Sequence, residues 1–336
     1  MAATAQVGHR LRRPRSHLYL RVGLALAVGL GACISLAPRA AVAETYFVTV
    51  AGLGGEPDYD QAFKTIAGEL DRALQGAGHR VYTLSGAKAT RVELTRTLRQ
   101  VAQLAGAEDD FVLTLIGHGS FDGIEYKMNL LGPDITAGEL AALCNRIRSK
   151  RQLIVDTTSA SGGAMAVLER RGRAVIAATK TGTERNATVF ARYWADALAD
   201  PTADLDKNDA ISALEAFQYA AAKTAAFYST QKRLATEHAV FEDAGREMPV
   251  REASTEDGEG RLLASFTLVR LGAATVKQAS ASTSPAHRAL LARKERLEQR
   301  IDVLKYQRAA LPPDDYKRQI TQALVELARV QEELDK

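Results

Sequence analysis

Apolar, β-branched runs alternate along this chain with segments whose apolar positions recur every three or four residues. Short continuous apolar runs are typical of strands buried on both faces of a parallel sheet, and the second spacing is typical of helices. The strands are predicted at 46–51, 79–84, 111–116, 152–156 and 173–179. The helices are predicted at 59–75, 90–105, 137–147, 164–169, 187–199 and 213–233. Repeated β–α units with right-handed crossovers indicate an α/β fold over residues 44–272, a doubly wound, mostly parallel sheet flanked by helices.

Residues 1–43 have the pattern of an export signal. Arginines crowd the start, an apolar stretch follows at 22–37, and Ala41-Val42-Ala43 is a small-x-small cleavage motif. The sequence therefore predicts a signal peptide and an exported protein, either periplasmic or secreted. A second interpretation remains open, because Leu30-Gly31-Ala32-Cys33 resembles a bacterial lipobox. In that case a lipid on Cys33 would anchor the protein to a membrane, and we expect no membrane association otherwise.

Removing the signal changes the charge of the chain. The whole sequence has 44 basic and 40 acidic residues, but six of the arginines fall within residues 1–43, which contain no acid. The remaining 38 basic and 40 acidic residues give a net charge of −2. The basic balance thus belongs to the signal, and it gives no reason to expect a nucleic-acid partner.

The last 52 residues form a separate pattern. Small residues at 273–284 indicate a linker, and residues 285–336 carry two heptad-like apolar seams separated by Pro312-Pro313. We expect a coiled-coil-like antiparallel helical hairpin that packs on the main domain or pairs with a second chain. Before the linker, residues 261–271 alternate like a final strand, and 236–259 show no regular pattern. Residues 121–131 are expected to form a hairpin or loop over the strand ends.

Chemistry-bearing residues follow two of the predicted strands. His118 stands between two glycines directly after the run 111–116, and the segment 157–163 after the next strand is small, hydroxylated and glycine-rich. Both strand ends lie at one edge of a parallel sheet, where open α/β sheets place their sites. A histidine and a hydroxyl cluster at neighbouring strand ends are a candidate pair of general base and nucleophile.

This arrangement resembles the legumain and caspase-like cysteine peptidases. An apolar strand ending in His118-Gly119 is followed by an apolar strand ending in Ser159-Ala160-Ser161-Gly162, where that family has Cys-x-Ser-Gly. The resemblance covers roughly residues 45–245. The chain departs from the family at the reacting atom, because Ser159 stands where the family carries its nucleophilic cysteine.

The resemblance implies a hydrolase in which Ser159 occupies the nucleophile position and forms a catalytic dyad with His118. The backbone N–H groups of Gly119 and Ser159 would hold the oxyanion, and no cofactor is required. A serine hydroxyl needs a strong, oriented base, for which Asp156 or Asp122 is a candidate partner of His118. The alternative is an inactive pseudopeptidase that binds a peptide or protein. Cys144, on a predicted helix, is expected to be a buried structural thiol.

Residues 204–215 match the order of ligands in a 12-residue EF-hand loop. The predicted calcium ligands are Asp204, Asp206, Asn208, Ala210 through its carbonyl, and Glu215. Asp209 stands where the loop normally has glycine with positive φ, which aspartate tolerates at a cost. The alternative is an acidic turn into a helix whose start is capped by Ser212 and Glu215.

Overall fold

The structure is a computed structural model that describes residues 43–77, 79–254, 257–271, 285–306, 308 and 311–334. The predicted linker and all of the predicted signal except its last residue therefore lie outside the described residues. Within the described part, no helix is both long and apolar enough to cross a membrane.

The core is a six-stranded sheet with the order β10-β8-β7-β3-β1-β2. Its strands are β1 (Thr45–Ala51), β2 (Arg80–Leu84), β3 (Asp110–Ile116), β7 (Arg151–Asp156), β8 (Arg173–Ala177) and β10 (Val240–Glu242). All neighbouring pairs are parallel except β10 with β8. The predicted doubly wound, mostly parallel sheet is thus confirmed.

Helices cover both faces of the sheet. They are α1 (Pro57–Gly76), α2 (Arg91–Leu104), α3 (Ala137–Cys144), α4 (Met165–Leu168), α5 (Phe190–Ala197), α6 (Ala213–Thr230) and α7 (Arg261–Ser265). One face of the sheet packs on α1, α5 and α6, and the other packs on α2, α3 and α4. Alternate strand residues enter the two cores, with Val112 in the first and Leu113 in the second, as the two-residue period of a strand requires.

Two predictions for the end of the main domain were wrong. The stretch 236–259 contains the antiparallel edge strand β10, and residues 261–265 form α7 rather than the start of a strand. Asp243 accepts hydrogen bonds from the N–H groups of Gly260 and Leu263, so it satisfies the start of α7 from a distant part of the chain. Only β11 (Thr267–Arg270) is extended, and it pairs with β9 (Ala210–Ser212) in a separate two-stranded sheet.

The segment after β3 folds into a small antiparallel sheet. Its strands are β4 (Gly119–Phe121), β5 (Tyr126–Met128) and β6 (Ile135–Thr136). The predicted hairpin over the strand ends is therefore present as β4 and β5. Thr136 and Glu139 form the capping box at the start of α3.

The C-terminal residues form two helices, α8 (Pro285–Tyr306) and α9 (Pro313–Leu334). An ion pair between Arg293 and Glu326, at 3.9 Å, joins the first half of one helix to the second half of the other, as in an antiparallel hairpin. Apolar residues of both helices meet in a separate small core made by Ile301, Leu304, Ile320 and Ala323. The hairpin also contacts the main domain, since Lys294 on α8 lies 2.6 Å from Glu69 on α1.

Candidate functional site

The two predicted catalytic side chains follow neighbouring parallel strands. β3 and β7 pair in register, with Leu115 opposite Asp156 at their carboxyl ends. His118 comes two residues after the end of β3, and Ser159 comes three residues after the end of β7. Both residues therefore lie at the carboxyl edge of the sheet, where the fold positions functional groups.

Ser159 is turned toward the backbone of Gly119. Its side chain is almost inaccessible, with 2% of the residue surface exposed. The hydroxyl donates a hydrogen bond to the Gly119 carbonyl at 3.1 Å and accepts one from the Gly119 N–H at 3.1 Å. Among the described residues, no hydrogen bond joins Ser159 to His118.

Gly119 allows this close approach because it has no side chain. A Cβ at this position would stand 2.5 Å from the Ser159 carbonyl oxygen and 2.7 Å from the ring of Tyr126. Any larger residue would push the end of β7 away from β4. The Gly119 N–H, predicted as an oxyanion donor, thus points at the atom that occupies the nucleophile position.

His118 lies against α1 instead. Its ring meets the rings of Tyr59 and Phe63 edge to face, with centroid distances of 4.8 and 5.2 Å. Burial lowers the pKa of His118 from its ordinary value, and the positive charge of Lys305 acts in the same direction. A hydrogen bond to the Gly54 backbone opposes this lowering of the pKa. The imidazole is therefore held mainly neutral near pH 7, as a general base requires.

Neither predicted orienting carboxylate contacts His118 through a hydrogen bond in the described structure. Asp156 is fully buried and accepts hydrogen bonds from the N–H and hydroxyl of Thr158, at 3.1 and 2.7 Å. Burial raises the pKa of Asp156 to about 6. Asp122 accepts hydrogen bonds from the N–H groups of Ile124 and Glu125, which fix the turn between β4 and β5.

The turn after Ser159 is sharp. Ala160 has a φ of +57°, in the left-handed region that costs most L-residues roughly 1–2 kcal/mol, and a single 3₁₀ turn follows at Ser161–Ala164. The helix predicted at 164–169 is present as α4, and this 3₁₀ turn precedes it. The hydroxyls of Ser161 and Thr179 share a hydrogen bond at 3.1 Å, in which either can be the donor. This bond connects the turn to the end of β8.

The loop after β8 brings a second histidine to the same edge. The backbone carbonyl of Glu184 accepts a hydrogen bond from the Ala160 N–H. The Glu184 carboxylate lies 2.5 Å from His238 Nδ1. The β4–β5 hairpin covers this loop, because the ring of Phe121 fits against Gly163 and Gly182, where a Cβ would stand within 3 Å of it.

Sequence reasoning missed the surroundings of His118. Tyr59 lies on the predicted first helix, but helical spacing alone indicates only a core position for it and not a contact with His118. Lys305 lies 187 residues after His118, and its Nζ is 3.6 Å from the centroid of the Tyr59 ring. The sequence carries no signal for such a distant contact.

The acidic loop brings its three predicted carboxylate ligands together. Carboxylate oxygens of Asp204, Asp206 and Glu215 all lie within 4.8 Å of one another. Asn208 hydrogen-bonds Asp206 through its amide nitrogen at 2.9 Å, and Ala210 begins β9. Oxygen ligands of this kind suit a hard cation such as calcium.

The backbone conformation of this loop also agrees with an EF-hand loop at the position of Asp209. Asp209 has a φ of +60°, the conformation for which EF-hand loops normally use glycine. The capping box of the alternative interpretation is present too, because Ser212 and Glu215 bond reciprocally at the start of α6. Glu215 can serve both as a calcium ligand and as a helix cap, because position 215 is both the last residue of the loop and the third residue of α6.

Cys144 is a buried thiol, as predicted. It is completely inaccessible, and burial raises its pKa to about 11, so the reactive thiolate is suppressed.

Comparison with known proteins gives similarity in overall structure only. No protein-family model matches the sequence, and no curated protein matches it. Three solved structures that align with this chain are protein GSU0716 from Geobacter sulfurreducens, the Drosophila initiator caspase Dronc, and caspase-1 from Spodoptera frugiperda. Their sequence identities are 12, 10 and 12%, with TM-scores of 0.43, 0.44 and 0.43. The alignments cover 68, 67 and 60% of this chain and 100, 84 and 86% of the other chains, respectively.

Proposed function

We propose that this chain is an exported peptidase-type protein whose strand-end site binds a peptide segment and cleaves it poorly or not at all. The observation that carries this proposal is the hydrogen bonding of Ser159. Its hydroxyl donates its proton to the Gly119 carbonyl, so no base is in place to remove that proton. A serine without such a base is a weak nucleophile, because the pKa of its hydroxyl is far above neutral.

Hydrolysis by Ser159 and His118 is the second candidate. It is favoured by the Gly119 N–H, which lies 3.1 Å from the Ser159 hydroxyl and is in place to stabilise an oxyanion after a small movement. It also agrees with the lowered pKa of His118, which leaves the imidazole free to accept a proton. In both functions the ligand is a peptide or protein.

A fluorophosphonate, which labels activated serines, separates the two functions. We expect no labelling of Ser159 in the wild-type protein and no cleavage of unfolded casein above a buffer control. Labelling at Ser159, together with casein cleavage that is lost in both Ser159→Ala and His118→Ala, would establish hydrolysis and overturn the proposal. Exposed Ser120, the neighbour of Gly119, provides the matched control variant Ser120→Ala.

A cysteine at position 159 tests whether the site keeps the machinery for acyl transfer. A thiol ionises close to neutral pH and needs less help from a base. If His118 can serve position 159, Ser159→Cys should react with iodoacetamide at least tenfold faster than buried Cys144, and His118→Ala should slow this reaction. Peptide mass spectrometry distinguishes the two thiols. Equal rates with and without His118 would show that the imidazole does not serve position 159.

Peptide binding is tested directly on an array of immobilised casein peptides. We expect wild-type protein to retain a subset of them, and His118→Ala to lose that subset while Ser120→Ala keeps it. Retention that is the same in all three proteins would place binding away from this edge and would contradict the proposal.

A further inference from the structure

The C-terminal hairpin reaches the candidate site through one aromatic ring. Tyr59 contacts both the imidazole of His118 and the ammonium of Lys305. The ring centroid is 4.8 Å from the imidazole centroid and 3.6 Å from Lys305 Nζ. Such a distance over an aromatic face is a close cation–π contact, and it joins α8 to the end of β3.

A second contact fixes Lys305 in this position. Its Nζ lies 3.1 Å from a carboxylate oxygen of Asp58, the neighbour of Tyr59 on α1. Both side chains are largely buried, with 15% and 9% of their surfaces exposed. An ion pair with this little solvent is screened much less than one on the surface. Lys305 is thus anchored to the first turn of α1, beside the ring that supports His118.

The charges around His118 come from two elements. Glu56 and Asp58, at the start of α1, favour the protonated imidazole, and Lys305 on α8 disfavours it. Glu56 is itself paired with Arg308, which follows α8. The hairpin therefore supplies a positive charge next to each of the two acids that face His118.

From these contacts we propose that Lys305 and Tyr59 are positioning residues for His118, through which the docked hairpin holds the imidazole ring and places a positive charge near it. The charge of Lys305 acts on His118 through space. The contact of Lys305 with Tyr59 fixes the ring against which the imidazole packs. Because such coupling is reciprocal, protonation of His118 must weaken the docking of the hairpin by the same free energy. The effect of Lys305 on reactivity at position 159 rests on the proposed function, whereas its effect on His118 itself does not.

The test is an NMR titration of the His118 ring in the full chain. Lys305→Met removes the charge and keeps an apolar stem over Tyr59, and Lys305→Arg keeps the charge. We expect Lys305→Met to raise the pKa of His118 by roughly half a unit or more, and Lys305→Arg to leave it near the wild-type value. Lys317→Met, which neutralises an exposed lysine on α9, should also leave it unchanged. Lys305→Gln serves as a second neutral variant if the Met variant does not fold.

Two outcomes would overturn the proposal. An unchanged pKa in both neutral variants would show that burial alone keeps His118 neutral. An equal rise in Lys305→Arg and Lys305→Met would show a loss of packing and not of charge. The same variants in the Ser159→Cys background separate this proposal from the proposed function. If the pKa of His118 shifts but the pH profile of iodoacetamide labelling does not follow, Lys305 positions His118, and the assignment of His118 to position 159 fails.

Discussion

The hydroxyl of Ser159 forms both of its hydrogen bonds with the backbone of a single residue, Gly119, on the neighbouring strand end. This pair fastens the end of β7 to β4 at the point where the two strand-end motifs meet. A serine in this position therefore stabilises the structure through its own hydrogen bonds. That structural role makes the consequences of substitution measurable in the absence of any substrate.

We expect Ser159→Ala to lower the free energy of unfolding by about 1–3 kcal/mol. The N–H and the carbonyl of Gly119 would each lose a hydrogen-bond partner at a site with little solvent. An unsatisfied buried polar group costs about this much. Denaturant unfolding monitored by circular dichroism measures the change. Ser120→Ala, on the exposed face of β4, should alter stability by less than about 0.5 kcal/mol. Equal stability of the two variants would mean that the Ser159 hydrogen bonds contribute nothing net.

Calcium should raise the melting temperature if the loop 204–215 binds it. Binding to the folded state alone stabilises that state in proportion to the logarithm of ligand excess. Glu215→Gln removes the carboxylate that closes the cage and should abolish the rise. Glu139→Gln is the matched control, because Glu139 makes the same capping box at α3 without an acidic loop before it. The absence of any calcium-dependent shift in chelator-treated protein, at millimolar calcium, would leave Glu215 as a helix cap only.

Stability should fall between about pH 4.5 and pH 7 because of Glu237. This carboxyl is buried, caps the start of α5 through the N–H groups of Val189 and Phe190, and accepts a hydrogen bond from Tyr228. Burial raises its pKa from 4.5 to about 7. The folded state then holds a proton that the unfolded state has already released, so stability is lost as the pH rises through this window.

Glu237→Gln should remove this dependence. Relative to wild type, the variant should gain about 2–3 kcal/mol between pH 4.5 and pH 8, from the size of the pKa shift. Urea unfolding at a series of pH values provides the measurement, with exposed Glu108→Gln as the control. Parallel pH profiles for wild type and Glu237→Gln would contradict a raised pKa at this residue.

Deleting residues 285–336 should leave the sheet folded. The two large apolar cores of the sheet contain no residue of α8 or α9, and the hairpin has its own small core. The interface instead includes buried charges, notably Lys294 with Glu69, Asp196 and Glu298. Truncation returns Glu69 and Asp196 to water, which solvates them well. A truncated chain without a cooperative unfolding transition would show that the hairpin is part of the folding unit.

Local patterns were sufficient to predict most of the sheet. β3 is apolar from Phe111 to Ile116 except at Thr114, and β7 contains the apolar run Leu153-Ile154-Val155, as is typical of buried parallel strands. The apolar positions of the helices between the strands repeat at 3.6 residues. β10 was missed because it has only three residues and its pairing with β8 is non-local. Likewise α7 depends on Asp243, about 20 residues upstream, which no local pattern reveals.

The candidate site was predictable in its placement and not in its contacts. Strand ends follow from topology, so His118 and Ser159 were expected at one edge of the sheet. Which way each side chain turns depends on neighbours distant in sequence, namely Gly119 for Ser159 and Tyr59 for His118. Rotamers are selected by tertiary packing, and this information is absent from the spacing of motifs.

The backbone around His118 has a kinetic consequence. Its carbonyl accepts a hydrogen bond from the Asn129 N–H at 3.0 Å, and the Asn129 carbonyl in turn accepts one from Leu53 at 3.1 Å. The segments that follow β1, β3 and β5 are thus joined at this residue, and displacing its main chain would break these hydrogen bonds. A rotation of the His118 side chain breaks neither of them. We therefore expect any movement of the imidazole toward position 159 to be a rotamer exchange of this one side chain and not the opening of a loop.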